Sequence, residues 1–362
     1  MNFEKELKFY QNIINQELRK LFNQISFTEK ENLLVGKEIN FLEKFCLYSG
    51  KRLRPILAIK TFQSFSNKNL KKFYHAILPL ELYHSYTLIH DDIYDEDTVR
   101  RGKSTIHFLF EEWFDRRYKK FSYFGKIYKN STSRFGAVSG FIGGKILRAL
   151  VDLAVLQSKI NTKKKVEILE LFNKQDFSDN FGQAEDLFFE KEENINKEDY
   201  FRMVRLKTGE LFKTSVRLAG ILANVKKKEI KILESFAENL AYIFQIKDDL
   251  LDLSIGGEKG REKGSDIKNG KKTLLLIYSL KKADKNKKAE ILKIIGNEKA
   301  SKKEIKKIID FYYESGAVDF CERIALKKSK KALMILRKLK GKINNSYSFF
   351  EFLASFMFER KR

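Results

Sequence analysis

The stretch Leu88-Ile89-His90-Asp91-Asp92-Ile93-Tyr94-Asp95 sets three carboxylates at positions i, i+1 and i+4 inside an apolar run. On a helix these positions fall within about a third of the circumference, so the three acids share one side. Their charges repel, and an apolar helix seldom gathers them without a cation. Far along the chain the pattern returns as Lys247-Asp248-Asp249-Leu250-Leu251-Asp252. One such triplet alone is explained about as well by a solvated face as by a metal site. Two copies, each flanked by apolar residues, make a divalent-cation site the better reading. Because octahedral Mg²⁺ keeps waters and shares its sphere with substrate phosphates, the triplets are expected to face one another and grip a diphosphate through bridging Mg²⁺.

The surrounding chain reads as helix. Only two prolines, Pro55 and Pro79, occur in 362 residues, and Leu, Ile, Lys, Glu and Phe abound. Unbranched side chains lose little rotamer freedom in a helix, and a scarcity of Pro leaves its hydrogen-bond ladder unbroken. Apolar residues at helical spacing, as in Phe9, Ile13, Ile14 and Leu18, suggest entry helices. Further helices are expected from Pro55 to Phe65, Leu70 to Asp95 and Phe135 to Ser158, then over about 165–190, 197–222 and 227–253, with a Lys-rich helical remainder. Gly256-Gly257-Glu258-Lys259-Gly260 marks a loop. The aromatic and basic stretch 113–134 looks like an insertion between core helices. With no strand alternation, repeat or linker, the economical reading is a single all-α domain over 1–362.

Composition narrows the function classes. A formal charge of +24 would attract phosphate, yet the excess is Lys spread along the chain, and no nucleic-acid-binding motif is present. A solvated surface and no nucleic-acid partner are expected, with peripheral membrane contact through the basic surface left open. Cys46 and Cys321 lack zinc-ligand spacing and read as buried thiols of a reducing compartment. The opening MNFEKELKFYQ is charged where a signal peptide is apolar, and the run Ile146–Leu156 is too short to span a bilayer. A cytoplasmic protein is expected.

Together with ordered landmarks, the two aspartate clusters resemble the trans-isoprenyl diphosphate synthase family over about residues 45–280. The landmarks are Gly50-Lys51-Arg52-Leu53-Arg54-Pro55, His84, the first motif with its trailing Arg100-Arg101-Gly102-Lys103, Gly182-Gln183-Ala184-Glu185-Asp186, Lys207-Thr208-Gly209, Gln245 before the second motif, and Gly264-Ser265-Asp266 with Gly270-Lys271. The resemblance implies an all-helical bundle around a hydrophobic cavity, working as a homodimer. The reaction it implies is head-to-tail condensation of isopentenyl diphosphate with an allylic diphosphate.

By that resemblance Asp91, Asp92, Asp95, Asp248 and Asp252 hold Mg²⁺, with Asp249 in the metal set or behind it. Arg100, Lys207, Lys271 and either Arg261 or Lys263 would surround the allylic diphosphate. Lys51, Arg54, His84 and Arg101 would bind isopentenyl diphosphate without metal, Arg supplying forked contacts and Lys a point charge. Thr208, Gln245 and the backbone carbonyl near Lys207 would face the allylic carbocation. Tyr86, five residues before the first aspartate, would floor the product tunnel, whereas ideal helical geometry puts Thr87 nearer the Asp91 face. The motif, lacking a two-residue insertion, most resembles a geranylgeranyl diphosphate synthase, with a farnesyl or longer product as the alternative. Lys145 and Leu275 depart from the family's usual Asp and Pro. A head-to-head synthase would not need the Lys51–Arg54–His84 set, and a catalytically silent subunit would have lost aspartates that this chain keeps.

Overall fold

The computed structural model describes residues 3–24, 32–48, 50–118, 123–254, 263–343 and 346–359. The glycine-rich loop 256–260 and Arg261 lie outside them. The fold is all-α, as the sequence pattern implies. Among the described residues the one β pairing is a hairpin of Val99–Arg100 with Lys103–Ser104. Its two-residue loop, Arg101-Gly102, has positive φ at both positions (54° and 73°), the geometry that matches the twist of a tight hairpin. Alternation over two residues is too short to show in a sequence.

By their contacts the described residues sort into two units. The first holds residues up to 59 and 68–169. In it the helix Ser131–Gln157 packs against Pro79–Tyr94 and Ile106–Arg117 over buried Leu80, Tyr83, Phe110, Leu147 and Val151. Close approach is possible because Gly144 has no side chain: a Cβ there would lie 2.2 Å from the His90 ring. A capping box between Asn130 and Ser133 fixes the start of the long helix. The expected helix from Leu70 to Asp95 is instead a 3₁₀ turn, a short helix Tyr74–Ile77 and the helix Pro79–Tyr94. Pro79, lacking an N–H, occupies the first turn of the last of these.

Of the stretch 113–134, residues 113–118 and 123–134 are described. Helix Ile106–Arg117 reaches into it, Phe114 stacks on Phe135 at 4.5 Å, and residues 123–130 carry no regular structure.

The second unit holds residues 60–67 and 170–254 and those from 263 onward. Its axis is the helix Lys227–Leu251, packed against Glu210–Ala223, Ala317–Arg337 and Tyr347–Glu359. The core includes Tyr200, Met203, Ile246, Leu276, Ile308 and Cys321. Lys197–Val204 and Glu210–Ala223, expected as one helix, are joined by a π-turn, Arg205–Gly209, in which Glu210 N–H reaches back five residues to Arg205 O. Such wide turns insert one residue into the ladder and recur at functional sites. No helix among the described residues is long and apolar enough to cross a membrane.

Candidate active site

The first aspartate motif ends its helix, and Asp95 caps it by donating its N–H to Asp91 O at 2.9 Å. The hairpin folds Arg100 back onto the motif: its Nη2 donates to Asp91 Oδ2 at 3.1 Å and its Nε to Asp92 Oδ1. Asp92 is fully buried, and burial raises its carboxyl to about 7 even though Arg100 pulls it down. Asp92 Oδ2 is buried with no hydrogen-bond partner, an acceptor suited to a bound cation.

Three of the four residues assigned to isopentenyl diphosphate come together in the same unit. Arg54 Nη1 lies 3.0 Å from His84 Nε2. Arg101 folds over Gly50, where a Cβ would sit 2.6 Å from its Nη1. Burial lowers the His84 pKa well below the usual value, helped by Arg54, Arg101, Arg100 and Arg52, so the ring stays neutral at pH 7. Burial also lowers Arg101 to about 10. Lys51, the fourth, is half-buried beside Gly50 in the chain.

Holding this cluster is Arg52, which the sequence shows only as one member of the Gly50–Pro55 landmark. It is 4% exposed, and its backbone is left-handed at φ 51°. Its guanidinium pairs with buried Glu81 at 2.5 Å and donates to Asn15 Oδ1 (2.9 Å), Cys46 O (2.6 Å) and Tyr48 O (3.1 Å). A buried charge so fully satisfied fixes the turn that presents Lys51 and Arg54. The available signal was Glu81, a carboxylate among Leu80, Leu82 and Tyr83.

Tyr86 and Thr87, on the same helix, differ in surroundings. The Tyr86 ring is buried edge-on between Tyr83 (5.3 Å) and His90 (4.8 Å). The Thr87 hydroxyl donates to His84 O at 3.0 Å.

In the second unit the π-turn and the second motif share one hydrogen-bonded line. Thr208 Oγ1 donates to Gln245 Oε1 (3.2 Å), Gln245 Nε2 to Asp249 Oδ1 (2.9 Å), and Tyr200 OH to Asp249 Oδ2 (2.7 Å). Both Asp249 oxygens are engaged, and Asp249 orients the Gln245 amide. Asp252 accepts from Ser265 N, Ser265 Oγ and Asp266 N at 2.6–3.2 Å and so anchors the chain where it returns from the glycine loop. Asp248 is half-buried near the end of the same helix. Lys207 and Lys271 both donate to Asp186 Oδ2, at 2.8 and 3.1 Å, while Lys263 is exposed. Lys145 is exposed, whereas Leu275 is core and lines a small cavity together with Asp249, Asp252 and Lys271.

Among the described residues no three acidic, histidine or cysteine side chains form a ready-made metal cage. The donors nonetheless suit Mg²⁺: they are hard carboxylate oxygens, and the buried, unpartnered Oδ2 of Asp92 is among them.

The family model for polyprenyl synthetase matches residues 39–312, a span that takes in both motifs and every landmark between them. The chain belongs to the polyprenyl synthetase family. It is 34% identical over 299 residues to the short chain isoprenyl diphosphate synthase of Methanocaldococcus jannaschii, covering 82% of this chain and 80% of that protein. The structure of geranylgeranyl pyrophosphate synthetase from Pyrococcus horikoshii superimposes with a TM-score of 0.80 at 30% identity, over 99% of this chain and 100% of that one. The geranylgeranyl pyrophosphate synthase of Corynebacterium glutamicum, solved with isoprenyl diphosphate and magnesium, gives 0.88 at 22% identity over 98% and 99% of the two chains, which supports the shared fold.

Proposed function

We propose that this chain is a Mg²⁺-dependent synthase that condenses isopentenyl diphosphate with an allylic diphosphate to make a short-chain product, geranylgeranyl diphosphate. The enzyme class, trans-prenyltransferase, follows from the family. The observation that carries the reading is the family match across residues 39–312 with all six motif aspartates kept. The proposal requires the two units to work as one catalytic domain.

On this reading Asp91, Asp92, Asp95, Asp248 and Asp252 would hold the metal. Bound there, Mg²⁺ would offset the negative charge that gathers on the allylic diphosphate as its carbon–oxygen bond breaks. Arg100, Lys207 and Lys271 bind the same leaving group. Lys51, Arg54, His84 and Arg101 hold the acceptor, and neutral His84 donates a hydrogen bond to it. The Gln245 carbonyl oxygen, kept in place by Asp249, faces the allylic cation with Thr208. These oxygens stabilise positive charge while being too weak as nucleophiles to capture it. Tyr86 limits chain length through its bulk. A homodimer belongs to the same proposal, with exposed Ile142, Leu153 and Leu156 on one helix as apolar surface for the second copy.

The test is incubation of the purified protein with labelled isopentenyl diphosphate, Mg²⁺ and, in turn, dimethylallyl, geranyl and farnesyl diphosphates. A twenty-carbon product is expected, and Asp91→Ala or Asp248→Ala should abolish it. Failure to extend any of the three primers ends the proposal. Tyr86→Ala should lengthen the product, and an unchanged length removes that residue from the account.

A further inference from the structure

The landmark Gly182-Gln183-Ala184-Glu185-Asp186 has no place in the chemistry above, yet its helix, Thr162–Lys191, lies directly on two of the proposed allylic-site lysines. Gly182, Asp186 and Glu190 are spaced i, i+4, i+8 and share a face. At Gly182 a Cβ would lie 2.5 Å from Lys207 N, so the helix touches the π-turn backbone itself. One turn later Asp186, its side chain 9% exposed, accepts on one oxygen from both Lys207 (2.8 Å) and Lys271 (3.1 Å). Another turn on, Glu190 Oε1 accepts from Lys271 at 2.8 Å, and Glu190 O from Lys272 at 3.1 Å. Gly270, at φ 74°, brings the loop within 3.5 Å of Glu190 O, measured from the position a Cβ would occupy.

We propose that Asp186 is a positioning residue that draws Lys207 and Lys271 onto one oxygen and so presents them as a pre-formed pair to the allylic diphosphate. Two ammonium groups so close repel, and each rides on a flexible four-carbon stem. A buried carboxylate between them removes the repulsion and fixes both stems before the substrate arrives. Each ammonium has three N–H donors and can hold a carboxylate and a phosphate oxygen together. The two burdens on Asp186 are consistent with this: burial would raise its carboxyl, and the lysines outweigh burial and hold it below the usual range.

This role rests on the proposed allylic site, and the test separates the two. Steady-state constants for geranyl and isopentenyl diphosphates are measured for Asp186→Asn, Lys207→Ala, Lys271→Ala and the Asp186→Asn/Lys271→Ala pair. With Asp186→Asn the allylic KM should rise about 10- to 50-fold while the isopentenyl KM stays within about twofold, as befits loss of a charge-assisted pair. The double variant should cost less than the product of its singles, because Asp186 acts through Lys271. If the lysine variants raise the allylic KM and Asp186→Asn does not, or moves both KM values together, Asp186 is an ordinary ion pair and the inference is wrong. If neither lysine variant affects the allylic KM, the allylic site itself is misassigned and this role falls with it. Should the Asn variant be too unstable to assay, Asp186→Glu, which keeps the charge but displaces both lysines by a stem one methylene longer, should still raise the allylic KM several-fold with the isopentenyl KM within about twofold, and an unchanged allylic KM overturns the positioning role.

Discussion

The molecule gathers basic side chains in two places, and it treats them in opposite ways. Around Gly50, Arg54 lies against His84 and Arg101 covers the glycine, and burial first, then these positive neighbours, hold the His84 imidazole in its neutral form. Around Asp186, each lysine is tied to a carboxylate, and Lys271 to two. In the first cluster the buried acid, Glu81, is paired with Arg52, and Arg54 and Arg101 lie beside a neutral imidazole. The second is already balanced by its own acids, so a diphosphate gains more there if it brings positive charge with it. The difference matches the division of labour proposed above, an acceptor bound without metal and an allylic substrate bound with it.

The strongest challenge to this contrast is metal removal. In titration calorimetry with excess chelator, allylic diphosphate should lose about a thousandfold in affinity, the several kcal/mol that a bridging cation supplies. Isopentenyl diphosphate should change less than about threefold. Equal losses at both sites would erase the distinction.

Next in size is Arg52, the arginine that gives the first cluster its frame. Arg52→Ala leaves Glu81 charged and buried, and removing one partner of such a pair typically costs about 3–5 kcal/mol. Denaturant unfolding should show that loss. A change below about 1 kcal/mol would mean that the turn holds without its staple.

Between the clusters the expected kinetics split. Arg54→Ala should raise the KM for isopentenyl diphosphate about 10- to 100-fold and leave the allylic KM alone, the size of one lost charge-assisted contact. Lys271→Ala should do the reverse. A variant that moves both constants equally would show one shared pocket rather than two.

How much of this was legible beforehand follows from the range of the interactions involved. Asp-Asp-x-x-Asp is a local pattern and could be read as one, but how its acids are used could not: Asp249 turns to Tyr200 and Gln245 while Asp252 turns to Ser265 and Asp266. Helix content was equally legible, since scarce proline and apolar periodicity are local too. The π-turn was not, because Arg205–Gly209 differs from ordinary helix by one hydrogen-bond step, which no residue preference marks. Arg52 escaped because its partners Asn15, Cys46, Tyr48 and Glu81 come from separate elements, and in sequence it is one more basic residue in a loop. Asp186 stands in a motif whose spelling reveals no task for it, since its meaning lies in Lys207 and Lys271, which only the folded chain sets on one oxygen. Asp252 shows the opposite case: read as a metal ligand, it also anchors Ser265 and Asp266 across the loop, a duty its spacing does not reveal.

The smallest effect concerns protons at His84. Its pKa in the folded protein lies well below 6.5, chiefly from burial and then from Arg54, Arg101, Arg100 and Arg52. The unfolded chain therefore binds a proton more readily, and the histidine's contribution to stability is complete above pH 6.5 and lost as pH falls toward the folded value. One unit of pH in that window is worth at most about 1.4 kcal/mol. Replacing His84 with Asn, which keeps polar capacity without titrating, should leave the melting temperature nearly unchanged at pH 7.5 and make the variant relatively more stable by pH 5.5. Because an anion beside His84 favours its protonated form, saturating pyrophosphate should shrink that difference. If pyrophosphate leaves it untouched, the anion does not sit beside His84, and the first cluster loses its claim to be the acceptor site.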